Sequence, residues 1–478
     1  MTFQVFHTKD IVLIPIIIFF SLITRLWMLG YPESYVFEES QVSLMIRYYH
    51  TGEYFYDVQP PLVKLLITLI SEFSGCQDFE FENYGRNGIN DTISEGFIFL
   101  RVIPCIISAF CPVLLYCSLR VCSVSFVSSL TASIMLIFDT SSVVQGRFLI
   151  VDGIFHFFTC LHIFFFLLLH IKGSTFFALL TGISLGAATA SKMNAYGLVF
   201  LVIISEIIWI MNRKPAIKRA IVSTLSILLP TFIIWFLSWV LHFSILRFKN
   251  HNLLYSNIES GYILTSRDTP ESEYYGKRLI ESHLIPFVIR SIYQSYRLFL
   301  RNSFPDIWES NPLYWPIVFD KFVLFYYQSE SRQIICVGNL VTNWVVLFGI
   351  LVTIFFLITR NIDKYNMIFL TGWLISYIPL LLLGRRMMSY NYTVPLIFAI
   401  LNFSVLIDRM NIPILFEFLL SIIIIMYFFY YAPWIYGFSN DSTCYLFNSW
   451  KNGVTSDPSS IGEAAFTTKV VMGTLSLE

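Results

Sequence analysis

Charged side chains are scarce in this chain and make up 13% of its 478 residues, which is about half of their usual share in soluble domains. Basic and acidic residues number 31 each, so the net charge is zero and no excess of positive charge is available for nucleic acid. The sequence also lacks a glycine-rich phosphate loop, which argues against a transporter driven by its own nucleotide hydrolysis. Hydrophobic residues make up 56% of the chain. This composition excludes an ordinary soluble enzyme.

Paired cysteine motifs are also missing. The chain has eight cysteines, several of them in or beside apolar runs, without CxxC spacing or neighbouring histidines. The pattern therefore predicts neither a zinc site nor a disulfide framework.

What the sequence has in abundance is apolar stretches, each close to the roughly 20 residues that cross a bilayer as a helix. They predict an all-α polytopic membrane protein with about eleven spans, the fifth and tenth of them short. The first is read as a retained helix, because no small-residue cleavage site follows it. The predicted spans are 11–29, 97–119, 124–143, 153–171, 175–190, 195–211, 219–245, 340–359, 366–384, 393–407 and 412–436.

The basic residues of the short loops indicate the orientation. With a cytosolic N-terminus, more basic residues fall in cytosolic than in lumenal short loops, and the cluster from Arg213 to Arg219 contributes most. Since basic residues are retained on the cytosolic side, we predict a cytosolic N-terminus. An odd number of spans then predicts a lumenal C-terminus.

The spans divide the chain into four parts. Residues 1–245 form an N-terminal transmembrane module, whose lumenal loop 30–96 is acidic and contains two predicted amphipathic helices, at 40–50 and 62–74. Such helices are expected to lie along the membrane surface. The other three parts are a short lumenal loop without repeats at 246–338, the C-terminal helices at 339–436 and a lumenal tail at 437–478.

Two adjacent carboxylates, Glu38 and Glu39, follow the first span. A carboxylate that takes a proton from an attacking alcohol is a common general base in group transfer. Repulsion between two neighbouring carboxylates raises the pKa of at least one of them unless a cation intervenes. The same pair could be a solvated acidic turn.

Cationic side chains recur near the predicted lumenal boundary of the spans, where charge is costly and often functional. Together they could meet the phosphate of a lipid-linked substrate, although each could also reach out to lipid headgroups. Asp139 and Asp152 are the nearby anions, and Asp152 is close enough in sequence to pair with Arg147. The cations are Arg25, Arg101, Arg147, Lys192, Arg385 and Arg386.

Several segments of the sequence, taken in chain order, resemble the motifs of the protein O-mannosyltransferase family. The first lumenal loop of that family reads F-D-E-x-H-F and then D-x-H-P-P-L-x-K, and a later segment reads Q-S-R-F-I-L-L-D. The matching segments here are Phe37-Glu38-Glu39, Asp57-Val58-Gln59-Pro60-Pro61-Leu62-Val63-Lys64, Leu100-Arg101, Phe138-Asp139, Gln145 to Asp152, Ser191-Lys192 with Gly197, Asn311 to Pro316, and Leu383 to Arg386 with Tyr392 and Pro395.

The resemblance implies a GT-C-type glycosyltransferase of the endoplasmic reticulum membrane. Such an enzyme moves mannose from dolichyl-phosphate mannose to Ser or Thr hydroxyls of secretory proteins, with inversion and without a metal or cofactor. It also implies pairing with itself or a paralogue, in a minimal form that lacks the family's lumenal trefoil domain. A bacterial plasma-membrane form is the alternative location.

The resemblance also implies a role for each site residue. Glu38 is expected to act as general base, and Glu39 to hold or orient the acceptor. Arg147, Lys192 and Arg25 are expected to bind the donor phosphate. The supporting positions are Asp57, Gln59, Arg101, Asp152 and Arg385.

The sequence departs from the family pattern at three positions. Glu38 stands where the family has Asp, and Gln41 and Gln59 stand where it has His. A non-catalytic partner subunit therefore remains an alternative. Independently of these departures, a lipid-phosphate-sugar transferase with a glycolipid acceptor is a second alternative. A polytopic transporter is a third, for which paired repeats would be the sign, and the sequence shows none.

Overall fold

In the computed structural model, the described residues are 8–55, 57–74, 93, 95–213, 215–246, 284–301, 310–319, 322–329, 332–383 and 387–438. Long helices run through most of this part of the chain. In chain order they are α1 (Thr8–Leu26), α2 (Glu39–Thr51), α3 (Leu62–Ser74), α4 (Glu95–Ala109), α5 (Cys111–Val121), α6 (Phe126–Ile137), α7 (Thr140–Arg147), α8 (Val151–Lys172), α9 (Thr175–Thr189), α10 (Tyr196–Arg213), α11 (Ile217–Ile245), α12 (Leu284–Arg301), α13 (Leu340–Ile358), α14 (Lys364–Leu382), α15 (Thr393–Arg409) and α16 (Ile414–Tyr436).

By length and composition, eight helical segments of the described chain can cross a membrane, or nine if α6 and α7, which meet at 58°, form one broken span. The predicted polytopic helical fold is confirmed, but the count of eleven is not. The first predicted span is α1, which carries Lys9, Asp10 and Arg25 within 19 residues. The fifth is α9, whose 15 residues are about 22 Å long.

Both predicted amphipathic helices are present, as α2 and α3. Pro60 and Pro61 precede α3, where their fixed φ angles suit the entry to a helix. Gly52 ends α2 with a φ of 73°, a left-handed conformation that glycine adopts without a steric penalty.

The structure corrects the all-α prediction at one place. Two antiparallel strands, β1 (Val323–Ser329) and β2 (Arg332–Cys336), form a hairpin in the predicted 246–338 loop. The run of aromatic and β-branched residues on each side of a polar turn is the signal for such a hairpin. The predicted tail 437–478 lies outside the described residues from position 439 onwards.

The helices α8, α9 and α11 pack side by side, and glycine allows the close approach of α9 to α11. A Cβ on Gly182 would lie 2.3 Å from the backbone oxygen of Ile227, and one on Gly186 would lie 3.0 Å from the Cα of Thr231. Thr231 also donates a hydrogen bond to the carbonyl of Gly182 at 3.0 Å. This contact sets the spacing between the two helices.

We expect Gly182→Ala to destabilise the protein by about 1–3 kcal/mol, because the new methyl group must push the α11 backbone away. Thermal unfolding of the purified protein in detergent measures the effect. Gly30→Ala is the control, since a Cβ there lies 3.6 Å from the Ile98 side chain, an ordinary contact. Equal unfolding midpoints for the two variants would contradict the proposed close contact.

Candidate active site

The loop between α1 and α2 holds Glu38 and Glu39 against the rest of the molecule. The backbone N–H of Phe37 donates to the carbonyl of Phe325 in β1 at 2.9 Å, and the two rings stack with their centroids 4.4 Å apart. Phe37 has a φ of 49°, and the next residue, Glu38, is the N-cap of α2. The hairpin, which the sequence analysis missed, therefore helps to fix the carboxylate pair.

Glu39 is completely buried and bound on both carboxylate oxygens. Arg101 of α4 donates to Oε1 from Nε at 2.8 Å and to Oε2 from Nη2 at 2.7 Å. The backbone N–H groups of Val36 and Leu149 donate to the same carboxylate at 2.9 and 2.8 Å. Four donors occupy the roughly four lone-pair sites of a carboxylate, so in this conformation Glu39 holds the loop and has no face open to an acceptor.

Arg101 also binds the loop backbone that precedes α2. Its guanidinium donates to the carbonyl oxygens of Leu29, Pro32 and Ser34 at 3.2, 3.0 and 2.8 Å. Arg101 thus connects α4 to the loop in several places, which agrees with its predicted supporting position.

A second ion pair lies where α8 begins and α9 leads into α10. Lys192 donates to Oδ1 of Asp152 at 2.5 Å, and both side chains are buried. The prediction that Asp152 pairs with Arg147 is wrong. Arg147 ends α7 and donates to the carbonyl of Met28 at 3.2 Å, whereas Asp152 lies in the first turn of α8.

The electrostatic surroundings of Glu38 suit a proton acceptor. Desolvation is the main effect and raises the pKa of Glu38. The positive charge of Lys192 opposes this rise, as does that of Lys64, whereas the negative charge of Asp152 adds to it. Tyr390 donates a hydrogen bond to Oε1 of Glu38 at 3.5 Å, which favours the charged form. The ring of Tyr390 also lies 5.0 Å from the ammonium nitrogen of Lys192, so this tyrosine contacts both groups.

The segment 57–64, which comprises a loop and the first residues of α3, brings another charged pair to the same region. Lys64 forms an ion pair with Asp57, and burial lowers the pKa of Lys64 to about 7, although Glu38 opposes that shift. Gln59 accepts a hydrogen bond from the backbone N–H of Met193 at 3.1 Å. This contact ties the loop to the residue after Lys192, so the structure brings Asp57, Gln59, Asp152 and Lys192 together.

The other two predicted phosphate ligands lie elsewhere, fully buried between helices. Arg25 donates through Nη1 to Ser21 and Thr24, and its Nε and Nη2 atoms are unpartnered among the described residues. The guanidinium of Arg147 lies 4.2 Å from the centre of the Tyr436 ring, with Nε and Nη1 likewise unpartnered in the described part of the chain. Neither side chain has exposed surface with which to meet a phosphate in this conformation.

Two of the assembled residues were not assigned a role from the sequence. Lys64 belongs to the matched loop motif, which was the signal available for it. Tyr390 lies in the connection after α14, five positions after Arg385 in the sequence, and only the tertiary structure brings it to Glu38. Arg385 itself lies outside the described residues. Within the described chain, no group of three or more His, Cys, Asp or Glu side chains forms a candidate metal site.

The helical membrane architecture, with acidic and basic groups gathered at one end of the helices, defines a polytopic membrane protein. The Saccharomyces cerevisiae protein O-mannosyltransferase Pmt1–Pmt2 complex bound to the sugar donor is a structural neighbour with a TM-score of 0.78. The alignment covers 96% of this chain and 95% of that one at 16% identity, a likeness that concerns the fold.

The family model for dolichyl-phosphate-mannose-protein mannosyltransferase matches residues 15–289, and that for the C-terminal four-span region of protein O-mannosyltransferase matches residues 292–453. The chain belongs to this family, as its resemblance in sequence predicted.

Curated relatives include dolichyl-phosphate-mannose–protein mannosyltransferases 1 of Candida albicans and of Saccharomyces cerevisiae. Each is 30% identical to this chain, over 192 and 190 residues respectively. The matched segments cover 39% and 38% of this chain but 22% and 23% of the relatives. The chain therefore aligns with less than a quarter of the length of each.

We expect Arg101→Gln to destabilise the protein by about 3–5 kcal/mol, because it leaves the buried Glu39 carboxylate without its cation. Thermal unfolding in detergent measures the loss, and Glu39→Gln together with Arg101→Gln should restore part of it. Arg409→Gln is the control, since its pair with Asp363 is 3.7 Å long and partly exposed and such pairs contribute about 0–1 kcal/mol. A midpoint for Arg101→Gln close to that of Arg409→Gln would show that the buried pair does not stabilise the fold.

Proposed function

We propose that this chain transfers mannose from dolichyl-phosphate mannose to Ser or Thr hydroxyls of proteins. The observation that carries the proposal is the placement of Glu38, which lies at the family's acidic motif and close to two lysines. Its raised pKa brings its proton affinity closer to that required of a base near neutral pH. Family membership supports the donor and the acceptor class.

In the proposed reaction, Glu38 takes the proton of the acceptor hydroxyl. The hydroxyl oxygen attacks the anomeric carbon of mannose from the face opposite the phosphate, so that the configuration inverts. The bond between that carbon and the phosphate oxygen breaks, and its electron pair leaves with dolichyl phosphate. No metal is required by this sequence of bond changes.

Lys192 is the best-placed candidate for stabilising the charge that develops on the departing phosphate. Its ammonium is already held by Asp152 and by the ring of Tyr390, so little reorganisation is needed when the charge appears. Lys64 adds a second positive charge near Glu38. For Arg25 and Arg147, whose side chains are fully buried, we propose an electrostatic contribution through the protein instead of contact with the phosphate.

We further propose that the protein works in the endoplasmic reticulum membrane, with a cytosolic N-terminus and a lumenal C-terminus. The loop charges and the family support this assignment. The neighbouring structure is a complex of two such subunits, which supports a dimer with a paralogue or with a second copy of this chain.

The first test is mannose transfer from labelled dolichyl-phosphate mannose to a Ser/Thr-rich peptide in purified membranes. Glu38→Gln should lower the rate by at least about a hundredfold, because glutamine cannot accept the proton. Glu38→Asp, the family's own residue, should retain transfer and serves as the matched control.

Two other outcomes would overturn the proposal. Transfer that needs an added paralogue and is unaffected by Glu38→Gln would indicate a non-catalytic subunit. Absence of protein transfer in every combination, together with transfer to a glycolipid, would indicate a different acceptor.

The pH dependence gives a second test. A base must be deprotonated, so activity should fall as the pH drops through the raised pKa of Glu38, above the value of about 4.3 for an ordinary glutamate. Tyr390→Phe removes a donor that favours the carboxylate, and we expect it to move this acidic limb to higher pH while the ring beside Lys192 remains. The pH profile of kcat/KM measures the shift, with Tyr314→Phe as control. An unmoved profile would argue against the hydrogen bond from Tyr390.

A further inference from the structure

A cavity of about 390 Å³ lies among the ends of α8, α9, α10 and α11. It belongs to the size range of pockets that bind small molecules. Its polar lining comes from His170, Ser174, Thr175, Glu206, Lys218, Arg219 and Ser223.

The cavity is separate from the candidate active site. Asp152 lies in the first turn of α8, whereas the cavity adjoins the C-terminal end of that 22-residue helix, which is about 33 Å long. Likewise, α9 begins at the cavity and ends next to Lys192. The two sites therefore lie at opposite ends of the same helices, near opposite faces of the membrane.

Charges of both signs line this cavity. Lys218 and Arg219 lie in the first turn of α11, and no ion pair joins either to a carboxylate within the described chain. Glu206 of α10 is 8% exposed and accepts a hydrogen bond from Thr224 at 3.4 Å. It is the one carboxylate among the lining residues. A ligand that complements these two cations and one carboxylate carries a negative and a positive group within one small molecule or headgroup.

Apolar side chains are exposed on the two helices α10 and α11, both of which contribute to the cavity lining. Ile207 and Ile208 of α10 are 50% and 52% exposed, and Val222 and Leu225 of α11 are 42% and 54% exposed. Trp209, an amphipathic side chain typical of the membrane interface, lines the cavity itself. Acyl chains can lie along these two helices while the attached headgroup enters the cavity, which favours a membrane lipid over a soluble ligand.

We propose that this cavity binds the headgroup of an aminophospholipid of the phosphatidylethanolamine class. Lys218 and Arg219 contact the phosphate, as basic pockets between membrane helices do for lipid headgroups. The primary ammonium donates a charge-assisted hydrogen bond to Glu206. A choline headgroup has no N–H to donate, so the cavity discriminates against phosphatidylcholine.

The test uses the full-length purified protein and measures lipid binding by native mass spectrometry and by the shift in thermal unfolding. The probes are dioleoyl-phosphatidylethanolamine, the phosphatidylcholine and phosphatidylglycerol with the same chains, and soluble glycerophosphoethanolamine. The variants are Lys218→Gln with Arg219→Gln, and Glu206→Gln. Arg360→Gln, a change to an exposed basic residue just after α13, is the matched control.

Phosphatidylethanolamine should bind the unmodified protein and the Arg360→Gln variant best, and the double variant about tenfold more weakly. Glu206→Gln should bind phosphatidylethanolamine and phosphatidylglycerol about equally. Binding of the soluble headgroup as well would indicate that the cavity recognises the headgroup alone, while binding of the lipid only would show that the apolar surface is also needed.

Equal lipid binding by the double variant and the control would overturn the proposal. So would an unmodified protein that does not distinguish phosphatidylethanolamine from phosphatidylcholine. Because mannose transfer is not part of the readout, these results are independent of the proposed reaction.

Discussion

The buried pair of Glu39 and Arg101 is the interaction on which the site depends. Glu39 receives two hydrogen bonds from Arg101 and two from the backbone, at Val36 and Leu149. Arg101 in turn binds three carbonyls of the loop before α2. A buried ion pair is weak evidence for stability by itself, since desolvation offsets the attraction. Its observed effect is geometric, because it fixes the loop on which Glu38 stands and connects that loop to α4 and to the segment before α8.

Glu38 and Glu39 are neighbours in sequence but have opposite surroundings. Both carboxylate oxygens of Glu39 accept hydrogen bonds from buried donors. Glu38 is the N-cap residue of α2, accepts one long hydrogen bond from Tyr390 and has a raised pKa. One carboxylate is thus structural, and the other retains the capacity to accept a proton. The two adjacent acids therefore have different roles because their hydrogen-bond partners differ.

The proposed site and the proposed lipid cavity share the helices α8, α9 and α10. These helices carry the Asp152–Lys192 pair near one end and the cavity near the other. Among the helices that line the cavity, α9 packs closely against α11, where Gly182 and Gly186 permit the approach.

The sequence determined the helical membrane architecture, the two amphipathic helices and the family, because long apolar runs and ordered motifs are local features of the chain. It also marked Glu38, Asp57, Gln59 and Lys192. Only the tertiary structure decided which side chains contact each other. Asp152 pairs with Lys192 and not with Arg147, and Tyr390 donates to Glu38, which is 352 positions away in the sequence. The β1–β2 hairpin packs against Phe37. These outcomes depend on which helix ends and loops meet in space, and hydrophobic periodicity contains no information about that.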